Sequence, residues 1–353
     1  MLLPTTASTV WILAIVSLLC LGSWANTLKL AGKWRFEFFY FDFVLGILLS
    51  AGAAAFVLGS AHPQDLTFQD NLLLAGYRKM AWALGSGVVL NLGLLLLLAA
   101  MAVSGMSVAF PLALGVGLVV GTTWDAVSAT PASWVLVAGG IVLFLAAVVS
   151  IAVAHSWRLD SQQQAAQTAL RPDPRVKSAR PRRPGAALAI VLAIVSGMAL
   201  SIFPRVLSQA TFGENGLAPY SAVLLLSISA LLSSPFFVLF FITFPITASA
   251  ATGGSYLSGS VKQHLLGIAG GLLWAAGMVS ALLVAGAPAA EQPNPLIQYA
   301  LSHGALLVAA AWGLLAWQEF RGTNDRVRML VTGAVVLFAS GLGVMAFAFS
   351  AAK

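Results

Sequence analysis

Of 353 residues, 59% are hydrophobic and only 8% are charged, and the mean hydropathy is +0.93, which excludes a water-soluble globule. The net charge of +7 has no folded basic domain to carry it, so a nucleic-acid footprint is excluded too. Cys20 is the sole cysteine, which leaves neither an internal disulfide nor a thiolate metal cluster.

A helix needs about 20 apolar residues to cross about 30 Å of hydrocarbon, and it satisfies its own backbone there. The apolar runs are continuous rather than alternating, so a transmembrane barrel is excluded. In chain order the predicted spans are Thr9 to Asn26, Phe41 to Ala61, Met80 to Ala100, Ser104 to Thr122, Pro131 to His155, Gly185 to Phe203, Ala218 to Pro245, Leu265 to Ala285, Leu296 to Gln318 and Val327 to Phe349. The first could be read instead as a secretory signal, but no Lys or Arg precedes Lys29 and the basic leader region is missing. The stretch GSWANTLKLAGKWRFEFFYFDFVLG, Gly22 to Gly46, is then a basic connector between two spans. Its Trp and Tyr residues suit the headgroup belt.

Cytoplasmic connectors collect Lys and Arg. Fourteen of the eighteen basic residues fall in the odd-numbered connectors, and the other side holds only Arg78, Lys79, Arg205 and Lys353. Both termini are therefore expected outside an inner (plasma) membrane, with the loop 156–184 in the cytoplasm. The segment from Arg158 to Gly185 is rich in Pro, Gln and Arg and is expected to be a disordered linker. Its run Arg175 to Arg183 either attracts anionic lipid or is a solvated topology determinant. The linker divides the chain into 1–155 and 185–353, each with five spans.

The two halves also look alike. GSGVVLNLG (Gly85 to Gly93) lines up with AGGLLWAAG (Ala269 to Gly277), GGIVLFLAAV at Gly139 with TGAVVLFASG at Thr332, and Phe38 to Ala51 more weakly with Leu217 to Leu232. The matches keep a common order. An odd number of spans per copy would turn the second copy upside down. The expected fold class is thus an all-α polytopic membrane protein of ten transmembrane helices in two inverted five-helix repeats.

The segments GSWANTLKLAGKWRFEFFYFDF, SGVVLNLGLLLL, GMSVAFPLALGVGLVVGT, FGENGLAPYSAV, KQHLLGIAGGLLWAAG and AAAWGLLAWQEFRG resemble the ureide-permease and glucose/rhamnose-uptake branch of the drug/metabolite transporter superfamily. The resemblance covers nearly the whole chain outside the linker. It implies two inverted five-helix repeats, secondary transport, and a cavity lined mainly by the first, third, fourth, sixth, eighth and ninth spans. Two departures stand out. WQEFRG (Trp317 to Gly322) keeps the acidic residue of its turn, whereas its first-half counterpart GTTWDAV (Gly121 to Val127) lacks the Glu and the basic residue. The linker has no Walker-type phosphate loop, so ureide specificity does not carry over.

Coupling to a proton or another cation calls for an ionisable group at membrane depth. All eleven Asp and Glu lie in connectors or near span ends, with Asp42 and Glu319 closest to the membrane. Either could couple, or could pair with Lys29, Arg35 or Arg321. His303 lies inside a span and could couple, line a cavity or pack. Asn91 needs a partner, a neighbouring helix or a solute, because a buried unpaired amide costs about 1 to 3 kcal/mol.

Among Trp24, Trp82, Trp274 and Trp312, Trp274 is the expected stacking residue, flanked by Gly270, Gly271 and Gly277. Asn26, Ser23, Gln298 and Tyr299 complete a polar set. Pro111 and Pro204 are expected either to break their helices or merely to kink them.

No metal-spaced His/Cys cluster, nucleophile elbow or dinucleotide fingerprint occurs, so neither an enzyme nor a cofactor is expected. The expected function is secondary transport of a small polar, uncharged solute such as a sugar, nucleoside or nucleobase-like heterocycle. The substrate-binding set is Asn26, Asn91, Trp274, Tyr299 and His303; His303, Asp42 and Glu319 are the coupling candidates. The alternatives are an exporter of the same superfamily and a non-transporting sensor or assembly subunit.

Overall fold

The described residues of the computed structural model are 1–350 without 33, 62, 63, 65, 129–132, 170–184 and 247–253; of these, 162–169, 185, 186, 254 and 255 are described by backbone only. Lys33, Lys353 and the basic run from Arg171 to Arg183 lie outside them. Every regular element among the described residues is a helix: α1 Ala7–Ser23, α2 Asn26–Leu30, α3 Phe36–Ala53 with a π-helical turn to Leu58, α4 Phe68–Ser104, α5 Met106–Ser128, α6 Trp134–Ala169, α7 Gly185–Thr211, α8 Pro219–Thr243, α9 Gly254–Leu257, α10 Val261–Ala285, α11 Pro295–His303, α12 Ala305–Ala311 with a π-helical turn to Ala316, and α13 Asp325–Ser350.

Local sequence sets several of these starts. Thr67 and Asp70 form a capping box ahead of α4, as Ser260 and Gln263 do ahead of α10; each satisfies amides that a helix start leaves open. Pro219 and Pro295 occupy the first turns of α8 and α11, where no amide is missed.

Eight of the helices are long and apolar enough to cross a membrane, and a ninth results if Pro295–His303 and Ala305–Ala316, bent by 47° about Gly304, act as one. Apolar α1 has 17 residues. The architecture is that of a multi-pass membrane protein.

Several boundaries move from where hydropathy placed them. α3 begins at Phe36 rather than Phe41 and takes Glu37 into the helix. α4 starts twelve residues before Met80, across a break at Gly76, whose φ of 72° an L side chain adopts only with strain. α6 runs on to Ala169 through SQQQAAQTA, a run dominated by good helix formers, so the linker expected from residue 156 is helical over its first part. α7 extends to Thr211 and carries Arg205 within it. Neither Pro111 nor Pro204 ends its helix, since α5 and α7 run through them. The breaks fall at Gly76 and at Gly304 instead.

Packing follows a regular scheme. α4 lies against α7 and α8, α10 against α1 and α3, α5 against α7 and α6, and α13 against α6 and α11, with α3 on α8 and α12 on both α1 and α5. Glycines set the tightest crossings. A Cβ on Gly271 of α10 would stand 1.9 Å from the Phe43 carbonyl oxygen of α3, and one on Gly87 of α4 would stand 2.2 Å from the Leu226 carbonyl oxygen of α8. Backbones that close exclude any larger residue.

Candidate solute cavity

A cavity of about 270 Å³ lies between α1, α4, α5, α7, α10 and the bend between α11 and α12. Its deep end is aromatic and aliphatic. Trp24, just past α1 and only 2% exposed, packs on Phe43 with ring centres 4.6 Å apart and on Phe110 of α5 at 5.8 Å. Trp274 comes from α10, and Leu90, Leu94 and Leu97 come from α4, where their spacing puts all three on one helical stripe.

The other end of the cavity is polar and is bounded by Asp125, Ser201, Arg205, Ser302 and His303. Arg205 is held firmly: Nη1 donates to the Ser201 carbonyl at 3.0 Å, and Nη2 donates to the Gly121 carbonyl at 2.6 Å and to Asp125 Oδ1 at 2.5 Å. Its Nε is buried without a hydrogen-bond partner among the described residues. His303 pairs Nδ1 with the Tyr299 carbonyl at 3.0 Å. A carbonyl only accepts, so the proton sits on Nδ1 and a neutral ring keeps Nε2 as an acceptor.

Of the residues expected to bind solute, Trp274 and His303 lie on the cavity wall; Asn26, Asn91 and Tyr299 do not. Asn91 is fully buried and its amide is consumed between helices: Oδ1 accepts from Tyr40 at 2.6 Å and Ser234 at 3.2 Å, and Nδ2 donates to Ser233 at 2.7 Å. It ties α3, α4 and α8 together. Asn26 donates to the Ser23 carbonyl at 2.8 Å and accepts from Trp317 Nε1 at 2.6 Å. Tyr299 stacks between His303 at 4.3 Å and Phe349 at 5.8 Å, and its hydroxyl is buried without a partner among the described residues. Trp312, 41% exposed, donates to Ser23 Oγ at 2.9 Å, and Trp82 is 39% exposed; neither lines the cavity.

The coupling candidates fare differently. Asp42, 3% exposed, accepts from Tyr256 at 2.7 Å and pairs with His264 at 2.8 Å. Neither is among the Lys29, Arg35 and Arg321 partners expected of it. Burial, followed by that bond to Asp42, pushes the Tyr256 hydroxyl up from its ordinary range. Glu319 forms an ion pair with Lys29, one of its three expected partners. It also accepts from the backbone amides of Met106 at 3.1 Å and Ser107 at 2.7 Å. A carboxylate there fills the positive N-terminus of α5 and satisfies donors the helix leaves open.

The pair the sequence did not point to is Asp125 with Arg205. GTTWDAV does carry an acid, and its basic partner arrives from α7 rather than from the same turn. A hydropathy window cannot see that partnership, because the two residues are 80 positions apart.

No family model matches this chain, and no curated protein matches it.

Proposed function

We propose that this protein is a secondary transporter of a small organic solute, built as ten spans in two inverted five-helix repeats around the cavity described above. The observation that carries the reading is the composition of the cavity wall. Three of its helices come from the first half, α1, α4 and α5, and three elements come from the second, α7, α10 and the α11–α12 bend. They occupy the first, third, fourth, sixth, eighth and ninth places in a ten-span order that counts α1 as the first and the bent pair as the ninth.

Equivalent positions support the repeat. Gly87 and Gly271 correspond in the aligned segments, and each receives a backbone carbonyl of the neighbouring helix, Leu226 on α8 and Phe43 on α3. Gly93 and Gly277 correspond as well; a Cβ there would meet Leu200 on α7 and Leu21 on α1 respectively. Leu90 and Trp274, and Leu94 and Met278, correspond and share the cavity wall. The helix pairs are exchanged in the same way: α1 on α10 answers α7 on α4, and α10 on α3 answers α4 on α8.

The wall narrows the solute class. A sugar brings several hydroxyls, and each left unpaired costs about 1 to 3 kcal/mol, whereas the deep end offers Leu90, Leu94, Leu97 and Phe110. The residues expected to satisfy such hydroxyls, Asn26 and Asn91, are spent elsewhere. A flat heterocycle of nucleobase size fits better, with its ring against Trp24 and Trp274 and one polar edge toward Ser302 and His303. The volume sits just below the usual range for small-molecule sites, about 300 to 1,000 Å³, which favours a small solute. Proton coupling would use His303, the one imidazole on the wall. The setting is an inner (plasma) membrane, with both termini outside and 156–184 inside.

A thermal-shift screen of the detergent-purified protein against nucleobases, nucleosides, sugars, ureides and organic cations tests this. Binding to the folded state adds about 2.7 kcal/mol at a hundredfold excess over Kd. Heterocycles should raise the melting temperature and Trp274→Ala should remove the shift. A shift given by sugars alone, or one indifferent to Trp274→Ala, contradicts the assignment.

A further inference from the structure

Two ion pairs flank the cavity, and both touch α5. Glu319 caps the first turn of α5 at Met106 and Ser107 and binds Lys29 of α2. Asp125 projects from the last turns of α5 and binds Arg205 on α7. At 1.5 Å per residue the two attachment points are about 28 Å apart, close to the thickness of a bilayer's hydrocarbon core. Between them α5 presents Phe110, Leu114, Gly117 and Gly121 to the cavity. The places correspond in the proposed repeat as well: Lys29 on α2 follows the first span and Glu319 follows the ninth, while Arg205 and Asp125 lie on the sixth and fourth.

We propose that Lys29–Glu319 and Arg205–Asp125 are the two gates of this cavity, one at each end, and that the solute passes by breaking one pair while the other holds. The proposal rests on the transport reading above and names the residues that would perform its opening step. Three features of the geometry support it. Arg205–Asp125 bridges α7 and α5, which bound the cavity, and Lys29–Glu319 ties α2, which follows α1, to the start of α5, so separating the charges frees a wall helix. Each has the acid on a helix or turn from one half and the base on a helix from the other. Lys29–Glu319 stands outside the cavity lining, and Arg205–Asp125 enters it only at the polar end.

In the structure both pairs are formed, with unlike cover. Asp125 and Arg205 are themselves part of the cavity wall, so a single layer closes that end. At the other end Trp24 and Phe110 line the cavity and Lys29 and Glu319 do not. That pair is reinforced by Trp317, whose ring carries the Lys29 ammonium 5.1 Å from its centre and whose Nε1 donates to Asn26.

The test uses full-length protein reconstituted in liposomes, with Cys20→Ala to remove the sole native thiol and Leu114→Cys as a reporter inside the cavity. A membrane-impermeant maleimide is applied from one face at a time. Glu319→Gln should raise labelling from the Lys29 face about tenfold, the ratio equivalent to one lost interaction of 1.4 kcal/mol, and leave the Arg205 face unchanged. Asp125→Asn should do the reverse. Lys29→Gln, which leaves Glu319 on the α5 amides, should repeat the Glu319→Gln result if that variant folds poorly. The exchange Asp125→Arg with Arg205→Asp should restore protection. Labelling that occurs but does not respond face by face overturns the gates and leaves the transport reading standing. A reporter that no folded variant exposes to either face removes the passage itself, and with it both readings.

Discussion

The two ends of the cavity are held by the same chemistry under different cover. At one end Lys29 and Glu319 are 23% and 8% exposed; at the other, Arg205 and Asp125 are 25% and 46% exposed. Glu319 is bound by two backbone amides as well as by Lys29, whereas the ion-pair partner of Asp125 among the described residues is Arg205. On the two-gate proposal the difference makes the Lys29 end the heavier gate and the Arg205 end the lighter one. A buried carboxylate stripped of its partner is costly, while an exposed pair contributes at most about 1 kcal/mol.

The largest test of that contrast is a pair of truncations. Glu319→Ala strands the Lys29 ammonium and the Met106 and Ser107 amides and should cost about 3 to 5 kcal/mol of folding free energy, whereas Asp125→Ala, which leaves Arg205 bonded to the Ser201 and Gly121 carbonyls, should cost no more than about 1 kcal/mol. Melting curves in one detergent compare them directly, and equal losses would break the distinction. Next in size come the equivalent glycines. Gly87→Ala and Gly271→Ala each push a Cβ onto a backbone oxygen and should each cost about 1 to 3 kcal/mol. A large effect at one and none at the other would mean that the halves do not correspond.

A smaller effect belongs to the anchored end alone. Trp317→Phe removes the 2.6 Å bond to Asn26 and should cost about 1 kcal/mol, with maleimide labelling rising only from the Lys29 face. The smallest is a matter of pH. Burial, and next the Arg158 guanidinium, pull the Lys29 ammonium down to about 8 from 10.5; the charged groups facing it are Glu319 and Arg158. Below pH 8 the ammonium is present and its burial cost is carried in full. Between about 8 and 10.5 the unfolded chain binds the extra proton, so the fold gains stability as that cost is relieved, even as the ion pair itself is lost. Labelling from the Lys29 face should therefore rise above pH 8 without unfolding, and Lys29→Arg, which stays charged, should flatten the rise.

Much of the fold could be read from hydropathy, because apolar runs of about 20 residues have few alternatives in a chain this poor in charge. Their ends could not. Glu37 and Arg205 fall inside helices because each finds a partner there, Arg35 for Glu37 and Asp125 for Arg205. A window average counts such residues as boundaries. The site was legible where composition alone decides, as at Trp274 amid its glycines. Asn91 and Asn26 were indistinguishable by sequence from solute ligands, since an amide that bonds Ser233, or one that bonds Trp317, across 142 or 291 positions looks the same in the chain as one that faces a cavity. His264 and Tyr256 escaped notice because their common partner, Asp42, lies more than 200 positions away.

The most direct test of opening at one end at a time is a pair of electron-spin distances measured in liposomes. Spin labels at Leu30 and Asn324, both exposed, report the Lys29 end, and labels at Val127 and Ser208, also exposed, report the Arg205 end. The account predicts that Glu319→Gln lengthens the first distance and leaves the second short, and that Asp125→Asn does the opposite. Distances that lengthen together, or that stay fixed at both ends in every folded variant, would contradict it.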